Sequence, residues 1–238
     1  MPETVESLAA LIAAEPAPVL LLDACAVIDV ARAPLLRDRG ARIVRSAAEI
    51  TQAAQRGSRG AWLVLAEMAH DEIQDVLPSE TERTKKQSRE TVDAYGRLHS
   101  VAQSLGMATE RPHPDIELLI ENLRRQAEDL AAACTVVLAN DLIRAAAGKR
   151  VADGRRPASR GRDKYRDCEI LETYLALARA LRGPVGTSRA WLVTSNTSDY
   201  GRPGLMDAEL ARDLEAAGIV LVTDVSWARS QMWPRQSS

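Results

Sequence analysis

The chain contains no phenylalanine, and aromatic residues make up only 3% of its 238. So sparse a complement argues against RNA readers that stack bases on aromatic platforms. Cysteine is scarce as well. Cys25, Cys134 and Cys168 stand far apart, with no C-x-x-C pair and no Cys/His cluster, which argues against a zinc site. An odd, sparse count fits reduced thiols and a cytoplasmic chain. The three histidines, His70, His99 and His113, are scattered and suggest no catalytic role. No apolar run approaches the roughly 18 residues of a membrane span. The acidic opening MPETVESLAALIAAEPAP lacks the basic region of a secretory signal. There is no G-x-x-x-x-G-K-[ST], no G-x-G-x-x-G after a strand and no G-x-S-x-G, which excludes a P-loop, a dinucleotide fingerprint and a nucleophile elbow.

What is present is an aliphatic chain, 46% hydrophobic and rich in Ala, Leu and Val, long enough for a sizeable core. Val19–Leu22 is a short all-apolar run, as expected of a central parallel strand covered on both faces. Residues 61–66 (AWLVLA), 190–194 (AWLVT) and 218–222 (GIVLV) read the same way. Between them, helical spacing predicts helices near 3–14, 24–31, 41–56, 68–76, 80–105, 115–133, 169–182 and 206–217. Strands alternating with helices predict an α/β fold with a mainly parallel sheet. A single domain over 1–238 follows, with its core in 19–79 and 134–225. Residues 80–133 carry no strand signal and read as a helical insertion.

Net charge is only −2, yet it is unevenly spread. Between Arg144 and Arg166 stand nine basic residues and two acids, a local charge of +7, so the remainder carries −9. Gly148, Gly154, Pro157, Ser159 and Gly161 fall in the same stretch, which therefore reads as a mobile basic loop.

Three of these strands end on or near acidic or amide groups, where open α/β sheets bind ligands. Asp23 follows the first. Glu67 and then Glu72 follow the second. The third runs into Thr194, Ser195, Asn196 and Asp199. A further acid, Asp167, opens the helix after the basic loop. Converging carboxylates repel one another unless a cation neutralises them. Oxygen ligands without His or Cys favour Mg²⁺ or Mn²⁺. Such an ion activates water for attack on a phosphodiester. Arg155, Arg156, Arg162, Lys164 and Arg166 would hold the polyanionic substrate. Each residue also has a plainer reading. Asp23 and Asp167 suit helix caps, Glu72 a solvated helix face, and Asn196 and Asp199 a polar turn.

At these residues the sequence resembles the PIN-domain nucleases. VLLLDACAVID is similar to the family's opening strand with its first metal ligand. AWLVLAEMAHDEI resembles the second strand and helix, with Glu72 before Ile73 as the second acid. KYRDCEILETYLALA resembles the helix start that carries the third, here Asp167, and AWLVTSNTSDYG the last strand-end motif. The likeness is closest to a longer bacterial PIN-like subgroup of uncharacterised proteins, with a helical insertion and a basic stretch before a Lys/Arg-Asp-Cys motif. Many PIN nucleases place a fourth Asp two residues after the Thr, where this chain has Asn196.

The resemblance implies a three-layer α/β/α fold and Mg²⁺- or Mn²⁺-dependent hydrolysis of RNA, leaving the phosphate on the 5′ side of the cut. Asp23, Glu72, Asp167 and Asp199 would hold metal, Asn196 would complete the catalytic set, and Thr194 or Ser195 would orient substrate or water. RNA is the implied partner and no membrane is involved. A homodimer or an antitoxin-like regulator is left open. The alternative is a catalytically weak or inactive PIN-like module that binds RNA or protein. A haloacid-dehalogenase-type phosphatase fits poorly, because Cys25 stands where its second Asp belongs.

Overall fold

The computed structural model describes residues 2–56, 60–107, 114–158, 164–182 and 189–233. Helix α1 (Val5–Ala14), capped by the Thr4 hydroxyl, leads into strand β1 (Val19–Leu22). Helices α2 (Ala24–Ala31) and α3 (Gly40–Gln55) follow, then β2 (Trp62–Ala66) and α4 (Glu67–Ser104). Helix α5 (Ile116–Ala132), β3 (Thr135–Val137), α6 (Asp141–Ala152) and α7 (Tyr165–Leu181) come next. The chain closes with β4 (Ala190–Val193), α8 (Thr197–Tyr200), α9 (Ala208–Ala217), β5 (Ile219–Val222) and α10 (Val225–Met232).

The five strands form one all-parallel sheet in the order β3-β2-β1-β4-β5. Every residue of β1, β2 and β4 is buried, as the unbroken apolar runs require of strands covered on both faces. One helical layer gathers α1, α6 and α9 around α7. The other gathers α3, α4 and α5 around α2, with α10 against α3. The fold is thus the expected three-layer α/β/α arrangement. Among the described residues, no helix is long and apolar enough to cross a membrane.

Three features differ from the sequence reading. The helices expected at 68–76 and 80–105 are one 38-residue helix that runs through Pro78. Interrupting a helix with proline costs about 3 kcal/mol, but Leu77, Thr81, Thr84 and Ser88 are buried on one side of α4 and anchor it on both sides of Pro78. The described residues of 80–133 lie mostly in α4 and α5, as expected, yet the second helix is no appendage: Ala127, Leu130 and Ala131 of α5 join the same core as the sheet. Strand β3 was not foreseen.

The described residues of the segment 144–166, namely 144–158 and 164–166, also depart from a mobile loop. Asn140 caps α6, which continues to Ala152, so Arg144, Lys149 and Arg150 are helical. Arg150 is 2% exposed. Its Nε donates to Glu172 Oε1 at 2.7 Å, its Nη2 to Asp213 Oδ2 at 2.7 Å and its Nη1 to the Arg156 carbonyl at 2.8 Å. These bonds pin the turn after α6 between α7 and α9. Composition counted Arg150 as a surface cation, whereas two carboxylates and a carbonyl satisfy it inside the protein.

Candidate metal centre at the carboxyl end of the sheet

The chain fills the sheet from β1 outward in one direction through β2 and β3, and in the other through β4 and β5. Strand order therefore reverses between β1 and β4, and a crevice opens there beyond the strand ends. Leu22 is in register with Leu65 on one side and Val193 on the other, so Asp23 and Thr194 emerge side by side. The Thr194 hydroxyl donates to Asp23 Oδ2 at 2.6 Å across this switch point. The Cys25 thiol donates to the same oxygen at 3.0 Å, and Oδ1 accepts the Ala24 N–H at 2.9 Å. Asp23 thus caps α2 and also faces the crevice, so both sequence readings hold together. Burial pushes its carboxyl above the usual range. The bonds from Thr194 and Cys25 oppose that shift, and the charge of Asp167 adds to it.

Glu72, on the second turn of α4, is half-buried. Burial raises its pKa, and the charges of Asp23 and Asp167 raise it further, against partial compensation from Arg166 and Lys164. Asp167 lies in the first turn of α7, whose N-cap is Lys164, so Asp167 is not the cap. Glu72 and Asp167 line one open hollow of about 500 Å³ with Met68, Lys164, Tyr165 and Arg166. Asp199, on α8, is 8% exposed. Burial works to raise its pKa, but the Asn196 amide (2.8 Å) and the Lys164 ammonium (3.0 Å) outweigh it and hold the carboxyl below the usual range. Gly201, at φ 78°, makes the sharp exit that ends α8 and fixes this turn.

The four acids are therefore drawn toward one crevice from β1, α4, α7 and α8. Asp167 and Asp199 meet through a cation: Lys164 Nζ lies 3.2 Å from Asp167 Oδ2 and 3.0 Å from Asp199 Oδ2. Among the described residues, no group of three His, Cys, Asp or Glu side chains stands at metal-ligating distance. The donor chemistry nevertheless fits a hard divalent ion: four carboxylates and the Thr194 hydroxyl supply oxygen only, and two of the carboxylates are destabilised by their neighbours.

The other expected cations have various settings. Arg166 is exposed at the hollow. Arg156 Nη1 donates to the Ser198 carbonyl at 3.1 Å, beside Asp199. Arg155 is held by Asp213 and Glu209, so it braces α9 rather than standing free. Arg162 lies outside the described residues. Asn196, expected near metal, has its amide on Asp199 and its oxygen accepting from Ser198 Oγ at 2.7 Å. The Ser195 side chain bonds Asp29, a second buried acid on α2.

Sequence reasoning missed the supports of this site. The buried Tyr174 hydroxyl donates to the Leu22 carbonyl and accepts the Ala66 N–H at 2.9 Å, tying the ends of β1 and β2 where Asp23 and α4 begin. Tyr200 donates to the Asp167 carbonyl at 3.3 Å. Cys25 accepts the Ser195 N–H at 3.1 Å while donating to Asp23. Of these, only Cys25 carried a signal, its place two residues after Asp23 in the opening motif. Comparison of the chain with family models, curated proteins and solved structures finds no match.

Proposed function

We propose that this chain is a Mg²⁺- or Mn²⁺-dependent endoribonuclease with a PIN-like site. The observation that carries the reading is the approach of Asp23, Glu72, Asp167 and Asp199 to the switch-point crevice, where the Asp167 charge adds to the burial that raises the Asp23 and Glu72 carboxyls and Asp199 shares Lys164 with Asp167. Asp23, Glu72, Asp167 and Asp199 would hold the ion. When bound, it would supply Lewis acidity and an activated water for hydrolysis of a phosphodiester. The protein's own part is to exclude water around Asp23, to hold that carboxylate through Thr194 and Cys25, and to present Lys164 and Arg166 to the substrate phosphate. Lys164, paired with Asp167 and Asp199 without metal, would be freed from them were the ion to supply their charge.

The test is incubation of the purified chain with end-labelled single-stranded RNA in Mn²⁺, in EDTA, and with Asp23→Asn. Cleavage present only in the first supports the enzyme. Equal cleavage by Asp23→Asn, or in EDTA, overturns it. The second reading, a non-cleaving RNA- or protein-binding module, draws support from the Lys164 ammonium bridging two of the acids and from Asn196 in place of an Asp. RNA binding without cleavage by either form would favour it.

A further inference from the structure

The proposed chemistry uses no residue of α10, yet that helix presents Trp227 with 37% of its surface exposed. Trp227 is shared by two adjoining hollows. One, of about 490 Å³, is lined with Arg39, Ser195, Thr197 and Arg202. The other, of about 480 Å³, is lined with Arg42, Arg45 and Trp233. Arg39, Arg42, Arg45 and Arg202 are all exposed. No ion pair or side-chain hydrogen bond ties any of the four among the described residues; Arg39 acts only at longer range, lowering the pKa of Asp29. Two carboxylates line these hollows, and both are engaged. Glu49 binds Arg229 at 2.6 Å, and Asp224 caps α10 through the Trp227 N–H.

Four free guanidinium groups around an exposed indole match single-stranded nucleic acid, whose phosphates take the arginines and whose unstacked bases take the ring. The place matters as much as the composition. Ser195 and Thr197 follow directly on Thr194, whose hydroxyl bonds Asp23. A polyanion approaching four carboxylates is repelled unless cations flank its path.

We propose that the surface running from Ser195 and Thr197 past Arg39, Arg202 and Trp227 to Arg42 and Arg45 is a track for single-stranded RNA, with one base stacked on Trp227. The proposal deepens the ribonuclease reading and takes its choice of RNA from it. It names the substrate as unpaired, because a base within a duplex cannot reach the ring. Low aromatic content over the whole chain does not bear on it, since a single exposed ring is enough.

The experiment is fluorescence anisotropy of a labelled 12-nucleotide oligouridylate, and of a 12-base-pair RNA duplex, with the full chain in EDTA so that nothing is cut. Trp227→Ala should weaken oligouridylate binding about tenfold, the scale of one lost base stack, and leave duplex binding unchanged. Trp227→Phe, which keeps a stacking face, should bind within about threefold of the parent. Arg39→Ala with Arg202→Ala should flatten the slope of log affinity against log salt by about 0.7 per lost phosphate contact. These two positions are exposed, so the double variant tests the track even if Trp227→Ala fails to fold. Unchanged binding by Trp227→Ala, an equal loss in Trp227→Phe, an unchanged salt slope, or an equal effect on the duplex each overturns the track. Trp227-dependent binding without cleavage in Mn²⁺ sinks the nuclease reading alone. Cleavage with Trp227-independent binding sinks the track alone.

Discussion

Replacing Tyr174 with Phe removes one oxygen and tests whether the strand ends that carry the acids are held as described. The hydroxyl is fully buried, donates to the Leu22 carbonyl and receives the Ala66 N–H at 2.9 Å. Phe fills the ring's space but orphans that N–H in a fully buried position. A buried donor left without a partner costs about 1–3 kcal/mol, and the lost bond to Leu22 about 1 kcal/mol more. The sum, roughly 2–4 kcal/mol, lowers the melting temperature of a chain this long by about 4–16 °C. Differential scanning calorimetry in EDTA reads the shift. The Leu22 carbonyl immediately precedes Asp23, so loosening it should also reduce the stabilisation that Mn²⁺ gives on titration. A melting temperature within 2 °C of the parent would show that Tyr174 merely fills space, and the reasoning about the site's support would fall with it.

Arg150→Leu leaves Glu172 buried without its cation and Asp213 with Arg155 alone, which should cost about 3–5 kcal/mol and shows as a lower urea midpoint; Arg150→Lys should not restore it, because one ammonium cannot reproduce a planar fork serving three acceptors. A loss under 1 kcal/mol would refute the buried role. Asp23 and Glu72 have folded pKa values above their unfolded ones, so the unfolded chain releases these protons first. Their favourable contribution is complete below the unfolded values and is lost as pH rises through the folded ones. Metal-free protein should therefore lose stability above about pH 4 from these two groups, and Asp23→Asn should lose less; identical pH–stability curves for the two proteins would contradict the assignment. Lys164→Met removes the ammonium between Asp167 and Asp199. At about 0.2–1 kcal/mol for each of two partly exposed pairs, Mn²⁺ affinity by calorimetric titration should tighten several-fold, and a weaker affinity would mean that the lysine does not compete with the ion.

Four of the five strands were legible because each is a short, unbroken apolar run bounded by turn residues. Strand β3 was not, since Thr135 and Val136 are only half-buried at the sheet edge and three residues give no period to read. Two helices, near 68–76 and 80–105, were expected because propensity is local, while the burial that carries α4 through Pro78 is not. The placement of Asp23 and Thr194 was legible for a topological reason: residues just past the strand ends of an open parallel sheet are brought to one rim whatever the loops do. What sequence could not show is which charges meet there. Lys164 and Asp199 are 35 residues apart, and Arg150 and Asp213 are 63 apart, with no periodic pattern linking either pair. The same limit applied to Trp227, where an average over all aromatics hid a single exposed ring beside four free arginines.

Carboxylates at one rim need compensation, and Asp199, Asp23 and Glu72 find it in different ways. Asp199 has Asn196 and Lys164 at hydrogen-bond distance and ionises readily. Asp23 has only a hydroxyl, a thiol and a backbone amide, neutral donors that soften its burial without cancelling it. Glu72 relies on Lys164 and Arg166 at longer range. The protein alone therefore satisfies one side of the crevice with a lysine and leaves the other side short of positive charge. A single ammonium on a flexible stem cannot serve both sides at once. A divalent ion near Asp23 and Glu72 would, on the proposed reading, supply what that side lacks and would compete with Lys164 for Asp167. On the proposed reading, the lysine is the charge that keeps the rim intact without metal, and it becomes available to the substrate phosphate once the metal arrives.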